Sequence, residues 1–316
     1  YICKNCKLVQ FKSLAPLDEM YGQTYGYRTS LSKLMIRHIA KKNLNILRSI
    51  KLKKSDYILD IGSNDGTFLN TFAKKNYLNC FGVDPSSEKF KEYYDKKINL
   101  ICDYFPSDKF QSKLKEFQNF KSFKLISSFA MFYDIENPNE FCRKIFNLLD
   151  NEGIWISEFS YFPLLLKNLT YDQICHEHVT YYSLNKFKKI IDKQGFKLID
   201  ISFNEINGGS IEVICAKKKS SIKPNLVKIE STLKEENDKI NLQSFQNLQY
   251  RVDNPKRVLN LLLSNIKKTD IIAYGASTKG NIVLNQCGIT AKDISYICDE
   301  NLYKFGRFTP GSNIKI

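Results

Sequence analysis

Apolar and polar positions follow two periods along this chain. Leu31, Leu34, Met35, Ile39, Leu44 and Leu47 recur near helical spacing, which predicts a helix over 30–50. Short apolar runs at 57–61, 80–83, 100–102, 124–128 and 154–158 read as buried strands. The stretches 66–75, 86–94, 138–149 and 184–194 read as helices between or after them. Two further strand-like runs lie at 196–202 and 210–216. Strand and helix in alternation predict an α/β fold, with a mainly parallel sheet covered on both faces. The last two runs predict an antiparallel addition at one edge. Residues 217–256 are rich in Lys, Glu, Asn and Gln. There Leu226, Ile229, Leu233, Ile240 and Leu242 give a partial helical stripe, read as one or two exposed helices joining two units. A second α/β unit follows, with a strand at 270–274, a helix at 278–287 and a strand at 294–298.

Composition narrows the class. The chain has 316 residues, 43% of them hydrophobic, enough for two or three domains. No apolar run reaches the ~18–20 residues of a membrane span, so no membrane partner is expected. The first residues, with Cys3 and Cys6 among polar neighbours, do not resemble a secretion signal. Nine cysteines without a paired framework argue for reduced thiols. The expected location is therefore cytoplasmic. The chain begins at Tyr1 rather than Met and stops soon after Pro310-Gly311, which suggests a fragment at both ends. Lys and Arg number 48 against 33 Asp and Glu, a net charge of +15. Such a field favours anionic partners: nucleic acid, a membrane surface or phosphorylated small molecules. The lysines are scattered in pairs and triples, however, and the bias also fits a compositional drift.

The strongest chemical signal spans 58–68. A buried strand ends at Asp60-Ile61-Gly62, a turn follows through Ser63, Asn64 and Asp65, and a helix starts near Gly66. Glycine allows close backbone approach to a ligand, and open α/β sheets bind ligands beyond the carboxyl ends of their strands. The turn lacks the third glycine of a dinucleotide loop and the Lys-Ser/Thr of a phosphate loop. Asp60 and Asp65 would repel a pyrophosphate. They suit a ligand with an amine and a sulfonium, as in S-adenosylmethionine (AdoMet). Asp84, before Pro85, ends the second strand and could accept both ribose hydroxyls. Asp103, before Tyr104, ends the third and could meet the adenine amino group. Phe129 and Ala130, just past the strand at 124–128, complete the expected cofactor set.

A second signal is Cys175-His176-Glu177-His178-Val179-Thr180-Tyr181-Tyr182, which holds two of the chain's three histidines. Imidazole titrates near neutrality and can act as a general base. A neighbouring carboxylate can fix its tautomer. The residues alone leave a structural histidine pair and a His-x-His metal site open as well.

Together these segments resemble the nucleotide-sugar C-methyltransferases, which methylate a carbon of a TDP-linked 4-keto deoxysugar. The resemblance also rests on Asn207-Gly208-Gly209-Ser210, on Tyr274-Gly275-Ala276-Ser277-Thr278-Lys279-Gly280-Asn281, on Asp299-Glu300-Asn301 and on residues 306–311. It implies three parts: an N-terminal zinc module, a central Rossmann-like AdoMet methyltransferase domain, and a C-terminal Rossmann-like α/β domain. The expected bounds are 1–45 for a remnant of the zinc module and substrate-side cap, 46–218 for the AdoMet domain, 219–262 for a helical linker and 263–316 for the C-terminal unit. The family's module has four cysteines, of which Cys3 and Cys6 look like the second pair; zinc is then expected only in a longer chain. The resemblance assigns His178 as base and Glu177 as its partner. It also brings in Tyr27, with His176 as a possible helper, to hold the developing oxyanion. Asn207, Gly208, Tyr274, Gly275, Ala276, Ser277, Lys279 and Asn281 are expected to bind the nucleotide sugar, the diphosphate lying at the start of the helix at 278–287. Two departures stand out: Cys175 where relatives often carry an aromatic residue, and Phe132-Tyr133-Asp134 where others carry a histidine. Alternatives to the sugar substrate are an RNA methyltransferase, motivated by the charge, and a non-catalytic AdoMet-binding protein.

Overall fold

The computed structural model describes residues 1–21, 25–240 and 242–316. In chain order the elements are β1 (Val9–Gln10), α1 (Leu17–Tyr21), α2 (Lys33–Ser49), β2 (Ile58–Ile61), α3 (Thr67–Lys74), β3 (Cys80–Val83), β4 (Asn99–Ile101) and α4 (Asp108–Lys115). Then come β5 (Phe123–Phe129), α5 (Pro138–Leu148), β6 (Leu149–Ser160), α6 (Phe162–Asn168), β7 (Thr180–Tyr181), α7 (Leu184–Lys193), β8 (Phe196–Asn204) and β9 (Ser210–Lys217). The rest comprises α8 (Leu226–Lys239), α9 (Leu242–Ser264), β10 (Ile272–Tyr274), α10 (Thr278–Cys287) and β11 (Tyr296–Cys298).

One sheet of seven strands runs in the order β4-β3-β2-β5-β6-β9-β8. Its first five strands are parallel, and β9 and β8 add antiparallel pairs at one edge, as the periodicity predicts. The chain is thus α/β with a mostly parallel sheet. Parallel strands bury both faces, and β2 and β3 are buried at every residue. On one face Ile39 and Ile46 of α2 pack with Phe68, Leu69 and Phe72 of α3. On the other, Phe110, Phe141, Ile145, Phe187 and Ile191 of α4, α5 and α7 meet Trp155 and Phe159 of β6. Short polar caps set where helices begin. Ser107 Oγ accepts from Phe110 N at 3.2 Å, and Asn137 Oδ1 accepts from Glu140 N at 3.1 Å, with Pro138 at the first turn.

The stretch 86–94 is a 3₁₀ run, Pro85–Tyr93, rather than an α-helix. Asp84 Oδ1 takes both Ser86 N at 2.7 Å and Ser86 Oγ at 2.6 Å, tightening the first turn, and only Ser86 and Ser87 of the run are buried. The charged stretch forms two helices, α8 and α9. Glu236 of α8 is buried and accepts Asn185 N at 2.8 Å and Tyr161 Oη at 2.5 Å, which fixes α8 to the start of α7. The N-terminal strand β1 pairs antiparallel with β7, so residues 9–10 brace the end of the histidine loop. The last unit holds a parallel pair, β10 and β11.

Candidate active site

A cavity of about 310 Å³ opens at the carboxyl ends of β2, β3, β4 and β5. Asp60, Gly62, Ser63, Asn64, Asp65, Asp84, Pro85, Asp103, Tyr104, Phe129 and Ala130 all line it. Of the expected cofactor residues only Gly66 does not. Gly66 has φ +74°, and a Cβ there would come within 2.6 Å of the Tyr94 ring. Its need is to seat Tyr94, whose hydroxyl lies 2.8 Å from both Ser63 Oγ and Asn64 O. Gly62 fits the ligand-approach role better. It lines the cavity with φ +74°, and a Cβ would reach Met131 Cγ at 3.1 Å.

The acids differ in state. Asp60 is buried and accepts from Ser127 Oγ at 2.7 Å; burial pushes its carboxyl up to about 8, with the hydroxyl partly offsetting. Asp84 accepts Asn64 N at 2.9 Å through Oδ2, and burial raises its carboxyl despite that bond. Asp65 is committed to structure. It accepts Ser30 N at 2.8 Å and Thr67 Oγ1 at 2.6 Å. Asn64 does similar work: its Oδ1 accepts Thr29 N at 2.9 Å and its Nδ2 donates to Tyr27 O at 3.1 Å. The cofactor turn therefore pins the segment 27–30 across the cavity mouth. The enclosed acids and the glycine cradle fit a ligand bearing an ammonium and a sulfonium.

Tyrosines of the N-terminal segment line the same cavity: Tyr21, Tyr25 and Tyr27. Tyr27 is 50% exposed and contacts Thr29. Tyr25 is the one that feels Glu177 and Asp134, so it faces the histidine loop more directly. His178 packs on Tyr133 with ring centroids 4.0 Å apart. Burial and then the charge of Lys279 lower its pKa to about 4, with the Gln173 backbone pulling the other way. Glu177 has its main effect on the Cys175 thiol, which burial and then the charge of Glu177 raise to about 12. His176 is exposed and stacks near Phe11, centroids 6.4 Å apart.

The loop 205–209 and α10 meet behind this site. Gln173 Nε2 donates to Asn207 O at 2.5 Å, and Lys279 Nζ to Asn207 Oδ1 at 3.0 Å. A Cβ at Gly208 would lie 2.5 Å from Thr170 Cγ2, so Gly208 serves close packing. Asn281 Oδ1 is enclosed with no hydrogen-bond partner among the described residues. Tyr274 is exposed and donates to Glu300 at 2.6 Å. Gly275, at φ +91°, turns the chain toward α10, Ala276 N donates to Asp299 at 2.8 Å, and Ser277 Oγ caps α10 at Gly280 N. Of that segment, Lys279 is the residue whose charge reaches the histidine loop, near His178 and Cys175.

Cys3 and Cys6 lie together on the first turn; the Cys6 and Asn5 amides and the Cys6 thiol hold the Cys3 thiol below its ordinary range. No cluster of three or more His, Cys, Asp or Glu that could hold a metal exists among the described residues. Two thiols do not close a tetrahedral zinc site, so the residues present do not fit the zinc that the resemblance implies. No helix among the described residues is long and apolar enough to cross a membrane.

The acids at successive strand ends agree with a direct match: residues 33–201 fit the model of a methyltransferase domain, over half of the chain. The chain belongs to the methyltransferase-domain family. Residues 205–316 match the C-terminal domain of C-methyltransferases. It is an AdoMet-dependent methyltransferase carrying that second domain. Over its whole length it is 26% identical to the C-methyltransferase NovU of Streptomyces niveus, covering 74% of that protein. Among solved structures, the plantazolicin methyltransferase BpumL, in complex with a triazolic desmethylPZN analog and SAH, superposes with TM-score 0.44 at 18% identity, covering 60% of this chain and 87% of that one. An N-methyltransferase of Haemonchus contortus superposes with TM-score 0.42 at 15% identity, covering 58% and 53%.

Proposed function

We propose that this methyltransferase acts on a carbon beside the ketone of a nucleotide-linked 4-keto deoxysugar, with a TDP carrier as the first choice. The observation that carries this reading is His178, a half-buried imidazole stacked on Tyr133, next in the chain to the cavity-lining Asp134, with its pKa lowered to about 4. A neutral imidazole can take a proton, and a C–H next to a ketone is acidic enough to give one because its conjugate base is an enolate. AdoMet, when bound, supplies an electrophilic methyl on a sulfonium. Asp60 and Asp84 would hold its amine and ribose, with Gly62 allowing the backbone close. With its pKa lowered to about 4, the His178 ring has a nitrogen lone pair to receive the sugar proton. Tyr25 and Tyr27 face the same end of the cavity and can hold the ketone oxygen. Lys279 supplies the nearby positive charge for the diphosphate, and the net charge of +15 suits an anionic substrate.

The test is mass spectrometry after incubation with AdoMet and a panel of TDP- and other nucleotide-linked 4-keto sugars. One sugar should gain a single methyl on carbon. His178→Gln should still bind AdoMet yet lose solvent exchange of the sugar α-proton. Retained exchange removes His178 from the base role. Salt-sensitive RNA binding without sugar turnover would favour a nucleic-acid substrate.

A further inference from the structure

One carboxyl at the tyrosine-lined end of the cavity is unused by the mechanism above. Asp134 ends the short turn Phe132–Asp134 after β5 and lines the cavity with Tyr21 and Tyr25. Its Oδ1 is fully enclosed, with no hydrogen-bond partner among the described residues. Tyr21 Oη is also enclosed and forms no well-directed hydrogen bond, although it comes near enough to favour the ionised carboxyl. The groups facing Asp134 come from four places. Tyr21 and Tyr25 belong to the N-terminal segment, Tyr133 to its own turn, Cys175 and Glu177 to the histidine loop, and Tyr181 to β7. None of these is a cation. His178 packs on Tyr133, and burial and Lys279 lower its pKa to about 4.

Asp134 is half-buried, and an ionised carboxylate here would have no counter-charge among these groups and no water at Oδ1. Burial, and then the charge of Glu177, hold this carboxyl well above the ordinary range, with Tyr21 offsetting only in part. The site therefore offers an O–H rather than an anion. A carboxylic acid kept neutral by apolar surroundings can serve enolate-forming chemistry as an oxyanion donor.

Resting on the sugar reading, we propose that Asp134 is a catalytic residue that stays protonated and donates its hydrogen bond to the substrate ketone oxygen. The balance of the step is simple. The C–H bond breaks, its proton goes to His178, and its electron pair moves into the enolate. The new C–CH₃ bond forms as the S–CH₃ bond breaks, and sulfur keeps that pair. Asp134 keeps its proton throughout, and His178 later returns its own to water. The bond from Asp134 strengthens as the oxygen gains charge, so it acts on kcat more than on binding.

Infrared difference spectra between the wild type and Asp134→Asn, without substrate and near neutral pH, read the protonation state directly. A protonated-carboxyl stretch, lost in the variant, is expected. An ionised Asp134 overturns the proposal, and all the more so if amine-bearing sugars bind more tightly to it. For turnover, Asp134→Ala should lose kcat by about 10²–10³, the usual cost of one oxyanion donor. Asp134→Asn, which keeps a donor, should retain more. Calorimetry with S-adenosylhomocysteine should show both variants folded and binding as the wild type does. Wild-type kcat in Asp134→Ala sinks this proposal alone. Absence of turnover by the wild type across the sugar panel sinks the sugar reading instead, and this proposal with it.

Discussion

In the seven-stranded sheet, β2 and β3 are buried at every residue, whereas in the second unit β10 and β11 keep both outer residues of each strand exposed. Both units use the same parallel strand-helix-strand grammar. The larger covers both faces of its sheet with helices, and its strand ends can then hold enclosed acids. The smaller has a core on one side, built from Ala276, Cys287, Ile289, Ile294, Ile297 and Ile314. It reaches the site through α10, chiefly by Lys279. A parallel sheet thus makes a dry ligand pocket only where both faces are packed, and an adjoining unit can still lend it a charge.

Substitutions should separate the two regions, and the largest effect lies in the deep sheet. Phe81→Ala, at a fully buried β3 position, should lower stability by about 3–5 kcal/mol in a denaturant titration. A small change there would mean the sheet is not the main core. Asp84→Ala should weaken S-adenosylhomocysteine binding by about 10- to 100-fold, as expected for a lost charge-assisted hydrogen bond, and should also lower the melting temperature because Asn64 N and Ser86 lose their acceptor. Unchanged affinity would remove Asp84 from the ribose site. Lys279→Met should raise the KM for the nucleotide sugar about tenfold, ~1.4 kcal/mol, and leave cofactor affinity alone. Proportionate loss of both would make Lys279 a structural tie. The smallest effect belongs to the outer face of the second unit, where Ile272→Ala should cost about 0.5 kcal/mol or less because Ile272 is 54% exposed.

Protonation sharpens the contrast further. Asp60 stands at about 8 in the folded chain against an ordinary 3.8. The folded chain therefore holds a proton that the unfolded chain releases. That contribution to stability is present near pH 4 and is lost as pH rises toward about 8. A bound ammonium favours the ionised form, so cofactor binding near neutrality should release part of a proton. Calorimetry in buffers of differing ionisation enthalpy measures it, and proton uptake would contradict the assignment.

Much of the first unit was legible because its signals are local. The run 57–61, the turn that follows and the acids after each strand need only the immediate sequence. Gly66 misled because a glycine required for packing against Tyr94 looks, in sequence, like one required for a ligand. Glu177 and His178 are neighbours in the chain, but the His178 ring packs on Tyr133 and Glu177 acts mainly on Cys175. Adjacency in a loop does not specify contact. Asp134 and Tyr25 escaped because the turn after β5 and the N-terminal segment converge only in the fold.

On the opposite side of the cavity, α2 is fastened to the sheet by a dry knot of charge. Glu158 of β6 takes His38 Nε2 at 2.9 Å, Lys42 Nζ at 2.6 Å and Asn204 Nδ2 at 2.6 Å, and Lys42 also pairs with Glu212. Removing one member strands the others without solvent. Natural drift at these positions should therefore proceed by matched exchanges, and variants across homologues should appear as whole sets rather than one at a time.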